Sequence, residues 1–324
     1  MEEKIALDVS KKCIKQKQKG KYTGYFCDLK TNWQLYVMIL IPLAYIIVFK
    51  YFPMYGARIA FVNYVPRKGV MNSDWVGFDN FIRFFNSTQF WVLIRNTLAL
   101  SLYTLVLCIP FPILLAISLT YLKSQKYKKV VQMVTYLPHF ISTVIIVSLL
   151  QLIFNTQSGI VNNLLYAVTG QKINFLGLSK YFRSMYVWST IWASTGWNSI
   201  LYISALAGVD PQLHEAAIID GANKIKRIWH IDIASIVPTI AIMTIMNMGS
   251  ILSVGFDKTF LMQNPTNLEI SEVLSTYEYK IGIGGGVPSY SYPAAIGLFT
   301  AVVNFVLICI TNKISKTLSD TGLW

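Results

Sequence analysis

Of the 324 residues, 54% are hydrophobic and 13% charged, well below the roughly 25% charged residues of soluble domains. A mean hydropathy of +0.49, with apolar runs near the roughly 20 residues that cross a bilayer, excludes an ordinary soluble protein and favours one membrane domain. The net charge of +13 then bears on orientation, because Lys and Arg concentrate in cytoplasmic loops.

Residues 1–32 form a leader with eight lysines. It is too long for a secretory signal, and no small-residue cleavage site follows the first apolar run, so a retained cytoplasmic tail is expected. The lysines suit a topology determinant. Membrane lipid headgroups, attracting each lysine by about 1 kcal/mol near the surface, and nucleic acid are the alternatives, and no nucleic-acid partner is assigned.

Six apolar segments follow, at residues 33–52, 97–122, 136–154, 185–206, 233–255 and 292–310. All are expected to be helices, because open strands leave backbone groups unpaired in hydrocarbon and the runs lack the alternation of a membrane barrel. Prolines at 42, 110, 112, 138 and 238 fit as kinks in packed membrane helices. The third segment is short and starts beside Pro138. The fold class is therefore all-α, a polytopic membrane protein with six transmembrane helices.

Four segments share one side: the leader, the connection with Lys123, Lys126, Lys128 and Lys129, the connection with Lys224, Lys226 and Arg227, and the end with Lys313 and Lys316. Together they hold 17 of the 28 basic residues, which places both termini in the cytoplasm. The division is a tail at 1–32, a membrane domain at 33–314 that includes a cytoplasmic loop at 207–238, and a tail at 315–324.

Catalytic chemistry finds little to work with. Cys13, Cys27, Cys108 and Cys309 form no C-x-x-C pair, and His139, His214 and His230 lack metal-ligand spacing, so no metal is expected. Gly282, Gly284, Gly285 and Gly286 make a glycine-rich loop, but no strand precedes it and no P-loop lysine follows. It reads as a flexible turn. With no nucleophile and base in view, the chain is not expected to be an enzyme or to hold a cofactor.

Polar and aromatic side chains inside spans are costly and usually face an interior path. The candidates are Gln151, Asn198, Asn247 and Asn304, with Trp192, Trp197 and Tyr202 able to stack on sugar faces. Hydrogen bonding between helices is the alternative for each. No Asp or Glu lies within the six segments, which argues against proton coupling and suits a neutral glycan.

The segment 210–238, DPQLHEAAIIDGANKIKRIWHIDIASIVP, interrupts the apolar C-terminal half. Asp210 and Pro211 predict a helix start and Gly221 a stop. Leu213, Ala216, Ala217 and Asp220 fall on one face, and the chain restarts through Ile225, Ile228 and Trp229. The pattern fits both an amphipathic helix on the membrane surface and a docking handle for another protein.

Glu215-Ala216-Ala217, three residues, Gly221, nine residues and Ile231-x-Ile233 resemble the EAA loop of permease subunits of ATP-binding-cassette (ABC) importers. The spacing agrees at each step, with Ala234 standing where the family has proline and Pro238 fitting a later one. Tyr136-Leu137-Pro138 and Leu206-Ala207-Gly208-Val209-Asp210-Pro211 are similar to oligosaccharide permeases. Tyr51-Phe52-Pro53-Met54-Tyr55-Gly56 and the closing Leu318-Ser319-Asp320-Thr321-Gly322-Leu323-Trp324 resemble LplB-type polysaccharide permeases, and the likeness covers nearly the whole chain.

The resemblance implies a type I ABC importer permease fold in the bacterial cell membrane. It implies a second, usually non-identical permease, a cytoplasmic ATPase dimer that carries ATP and magnesium, and an extracytoplasmic solute-binding protein that delivers an oligosaccharide. Glu215, Ala216, Ala217, Asp220 and Gly221 would couple to the ATPase. A permease for a lipid, peptide or amino acid, and a membrane scaffold that moves no solute, are the alternatives.

Overall fold

The computed structural model describes residues 32–253, 255–284, 289–319 and 322–323. The lysine-rich leader with Cys13 and Cys27, the loop residues Gly285 and Gly286, and Asp320, Thr321 and Trp324 lie outside the described residues.

Helix α1 (Trp33–Phe61) is apolar on every side. It outruns the expected 33–52 because Pro53 falls in the first turn of a fresh helical segment, Phe52–Met54, where its missing N–H has no partner to lose. None of its residues from Trp33 to Met54 is buried; the 3₁₀ turn at Tyr55–Phe61 buries Ala60. Strands β1 (Val62–Asn63) and β2 (Asp74–Trp75) pair antiparallel, and α2 (Asp79–Phe85) follows, its Phe84 buried among Phe90, Tyr292 and Phe299.

Helix α3 (Phe90–Thr120) begins seven residues before the apolar run. Asn96 explains the extension, since its Nδ2 donates to the carbonyls of Glu269 and Glu272 at 2.8 and 3.1 Å and its Oδ1 accepts from Arg183 at 3.1 Å. A polar residue so satisfied costs a buried helix little. The helix breaks at Ile109, just before Pro110.

The third apolar segment is not one helix. Helices α4 (Gln125–Phe140) and α5 (Thr143–Ile153) meet at 99°, because Ile141 is extended and the Ser142 side chain caps α5 by accepting from Ile145 N. A short helix α6 (Ile160–Thr169) closes on Gly170 at φ 71°. Helix α7 (Ser179–Ala207) is 29 residues long and forms the spine of the molecule. Its Gly196 meets α4 so closely that a Cβ there would lie 2.0 Å from the Thr135 carbonyl oxygen.

The polar segment supplies α8 (Pro211–Ile219), and α9 (Lys224–Met248) follows. Helices α10 (Phe256–Met262), α11 (Leu268–Ser271) and α12 (Leu274–Tyr279) pack beside α7 and α3, and α13 (Ser291–Ser319) closes the bundle. Among the described residues four helices are long and apolar enough to cross a membrane, or five when α4 and α5 count as one broken span. Helix α7 falls outside that set by composition, diluted by Ser, Thr, Lys and Arg.

Three apolar clusters hold the bundle together. One joins Leu100, Val147, Phe182, Ile191 and Met262; a second is built on Phe84, Leu93, Leu252 and Ile296; a third packs Ala116, Tyr202, Leu206 and Ile236. Large apolar side chains outside these clusters stand exposed over much of the surface, as for a chain that meets lipid and other subunits.

Candidate functional site

Two features are candidates for the functional site: a cavity beside α7, and the turn around α8. The cavity, of about 210 Å³, is walled by α3, α7, α9 and the residues leading to α10. Three expected path residues, Asn198, Tyr202 and Asn247, line it together.

The other four do not. Gln151 is exposed on α5, and Trp192 is half exposed outside the cavity lining. Trp197 stacks on His139, with ring centroids 4.5 Å apart and planes 4° from parallel. Asn304 is buried, its Oδ1 accepting from Leu252 N at 3.1 Å and its Nδ2 donating to Ser253 Oγ at 3.0 Å, so it braces α13 against the end of α9 and lines a different cleft.

The sequence reading missed much of the polar lining. Ser101, Thr104, Ser250 and Ser253 contribute hydroxyls, and Tyr186 adds a ring. Short hydroxyls inside apolar runs are too common to single out, but Ser101 and Thr104, one turn apart on α3, share a helix face.

Lys258, on α10, was also missed. Its Nζ donates to the Tyr186 carbonyl at 2.9 Å and to Thr190 Oγ1 at 2.6 Å, and sits 4.7 Å from the centre of the Tyr186 ring. Burial pushes the ammonium down to about 7, since a charge loses its hydration there. No carboxylate among the described residues pairs with it. A cation therefore stands behind a cavity wall that the sequence suggested was uncharged.

The turn around α8 follows from local chemistry. Asp210 caps the helix, its Oδ1 accepting from Gln212 N at 2.9 Å, and Pro211 occupies the first turn. At the far end Ala222 N donates to the Ala217 carbonyl at 2.8 Å and Gly221 N to that of Ile218 at 3.0 Å, the paired bonds of a Schellman stop. Gly221 takes φ +76°, a left-handed conformation that costs glycine least. Asn223 caps the restart by accepting from Lys226 N at 2.8 Å.

Glu215, Ala216, Asp220 and Gly221 are exposed and Ala217 partly so. Leu213, Ile218 and Ile219 are also exposed, at 53, 55 and 85%, an apolar face wider than the one expected from Leu213 and the two alanines. Facing its own chain, α8 presents His214, whose Nε2 lies 3.3 Å from Asp232 Oδ1.

Asp232 revises one expectation. It precedes the apolar run by one residue, yet it lies inside α9, only 2% exposed. The fifth helix therefore does contain a buried carboxylate. Its second oxygen accepts from the Tyr121 hydroxyl at 2.7 Å, and Lys224 Nζ sits 4.7 Å from the centre of that tyrosine's ring.

Comparison with known proteins places this geometry. Residues 108–320 match the family described as binding-protein-dependent transport system inner membrane component. Protein LplB of Bacillus subtilis (strain 168) is 41% identical over 305 residues, covering 94% of this chain and 95% of that one. The polygalacturonan/rhamnogalacturonan transport system permease protein YteP of the same strain is 40% identical over 290 residues, covering 90% of each. Among solved structures, a chain of a bacterial alginate ABC transporter, crystallised with its alginate pentasaccharide-bound periplasmic protein, superposes with a TM-score of 0.83 at 38% identity, covering 91% of this chain and 98% of that one. The fold is accordingly that of type I ABC importer permeases, as the EAA-loop resemblance implied. The chain belongs to the inner membrane components of binding-protein-dependent transport systems, and is a multi-pass permease of the bacterial cell membrane.

Proposed function

We propose that this permease forms half of the path for an oligosaccharide or polysaccharide fragment and receives its driving force through α8. The observation that carries the reading is the capped, outward-facing helix Pro211–Ile219, with Glu215 and three apolar side chains exposed. A rigid helix seated in a partner's cleft transmits displacement, because packed interfaces switch between discrete arrangements. The partners are a second permease across the cavity, a cytoplasmic ATPase dimer that binds ATP and magnesium, and an extracytoplasmic binding protein. The last is suggested by the periplasmic protein of the alginate transporter.

The arrangement has six spans with both termini inside. The four long apolar helices and the broken pair supply five, and α7, at 29 residues and about 1.5 Å per residue, is longer than the roughly 30 Å of hydrocarbon. Helix α8 then lies on the cytoplasmic side.

Lys258 favours a cargo that bears carboxylates. Its ammonium stands behind Tyr186, a cavity wall, and the names of two relatives point the same way: one transports polygalacturonan, and a solved structure concerns the acidic polysaccharide alginate.

Replacing Glu215 with Ala and Gly221 with Val in the whole transporter tests the coupling role. Uptake of labelled oligosaccharide should be lost while the chain stays at normal level in the membrane. Undiminished uptake by both variants would exclude it.

A further inference from the structure

Helix α8 is joined to α9 by very little backbone. Gly221 and three further residues make the turn, and a left-handed glycine is a conformationally permissive joint. A push on α8 delivered through that joint alone would let the helix pivot instead of moving the spans. The chain supplies a second connection. His214, in the middle of α8, meets one oxygen of the buried Asp232 at 3.3 Å, and Tyr121, at the end of α3, donates to the other at 2.7 Å. One carboxylate thus bridges three elements.

The place of Asp232 matters as much as its partners. It sits in a π-helical turn, Ile228–Ile233, and single π turns inside helices are frequent at functional sites, where the i→i−4 ladder is already interrupted. A buried carboxylate is costly unless both oxygens stay engaged. Moving α8 away from α9, or α3 away from either, therefore strands a charge. The low-energy course is for the three to move together. Lys224 over the Tyr121 ring and the neighbouring Arg227, whose buried Nε has no hydrogen-bond partner among the described residues, keep the surroundings cationic.

We propose that His214, Asp232 and Tyr121 form a side-chain latch that ties the coupling helix to α9 and to the inner end of α3, so that displacement of α8 reaches two cavity-lining helices as one movement. This rests on the reading of α8 as the ATPase-docking element. The three are positioning residues, acting through the helices they join and not by touching cargo.

The test uses the complete transporter in membrane vesicles, carrying His214→Ala or Tyr121→Phe, with three readouts: ATPase co-purified with the chain, ATP hydrolysed, and labelled oligosaccharide taken up. The expected result is unchanged ATPase association with uptake per ATP lowered about tenfold, within the range for loss of a coupling contact. His214→Gln, which keeps a donor, should recover most of it. Unchanged uptake per ATP in both single variants overturns the latch. A wild-type chain that brings down no ATPase overturns instead the reading on which the latch rests.

If the single variants fail to accumulate, the pair His214→Leu with Asp232→Leu, made in the Tyr121→Phe background, removes all three polar partners at once, which is far less damaging than orphaning one. That pair should restore the level in the membrane but not the coupling. Recovery of both would reduce the cluster to a packing feature and overturn the proposal.

Discussion

Lys258 shows how one residue changes the account of the cavity. Its amine has no acidic partner among the described residues, is held by the Tyr186 carbonyl and the Thr190 hydroxyl, and titrates near 7. With the folded value pushed below the usual lysine range, the amine is charged below about pH 7 and neutral above it. Uptake of a uronate-bearing oligosaccharide relative to a neutral one should therefore fall as the outside pH rises from 6 to 8. In Lys258→Met the ratio should be low and flat across that range. A wild-type ratio that does not change with pH would remove Lys258 from cargo selection. The groups that face this amine are Cys108 and Tyr186. None of this was legible in the sequence, where Lys258 is one of the basic residues outside the four segments that share one side. Burial, which a string of letters does not display, is what sets it apart. Asn198, Tyr202 and Asn247, singled out as polar or aromatic side chains in apolar runs, line one cavity. Trp197 and Asn304, singled out with them, lie outside that lining and meet His139 and the turn after α9.

At the scale of elements, helix ends were the most readable feature. Asp210, Pro211 and Gly221 act through bonds to their near neighbours, so the bounds of α8 followed from local chemistry alone. Removing the cap tests that attribution. Asp210→Ala costs a helix about 1 kcal/mol, so amide exchange of residues 212–216 should speed up about fivefold while α9 exchanges as before. No change in α8 would mean that contacts beyond the helix, and not the cap, set its start. The broken third span was less legible, although part of the signal was present. Pro138 marks a restart, and Ser142 before Thr143 reads as a cap. Hydropathy averages across both, and the apolar letters on either side conceal a 99° bend. Helix α7 was legible as the fourth apolar segment, 185–206, and the structure extends it to Ser179–Ala207.

For the whole molecule, orientation is the statement most open to direct measurement. Single cysteines at Ser87, Ser158 and Asn264, in a background lacking the native thiols, should react with an impermeant maleimide added outside intact cells. Cysteines at Ser124 and Asn223 should react only after the membrane is opened. Labelling of Asn223→Cys from outside would reverse the topology and remove α8 from any cytoplasmic partner. The large-scale arrangement was accessible from the sequence because membrane segments must satisfy every backbone group internally, which leaves few solutions. The association of α3, α7 and α9 around one cavity was not, because it depends on close packing at particular residues.

The contact at Gly196 has a mechanical corollary. With no side chain there, the Thr135 carbonyl rests directly on α7, and the next residue, Trp197, stacks on His139, one turn beyond Thr135. The inner arm of the broken span, as we call α4, is thus clamped to the spine at two neighbouring points, while the other arm, α5, follows the extended Ile141. Any alternation of this half of the transporter between its two faces then has a fixed fulcrum. The inner arm and α7 turn as a single lever, and the change of angle is left to the one elbow that the backbone does not clamp.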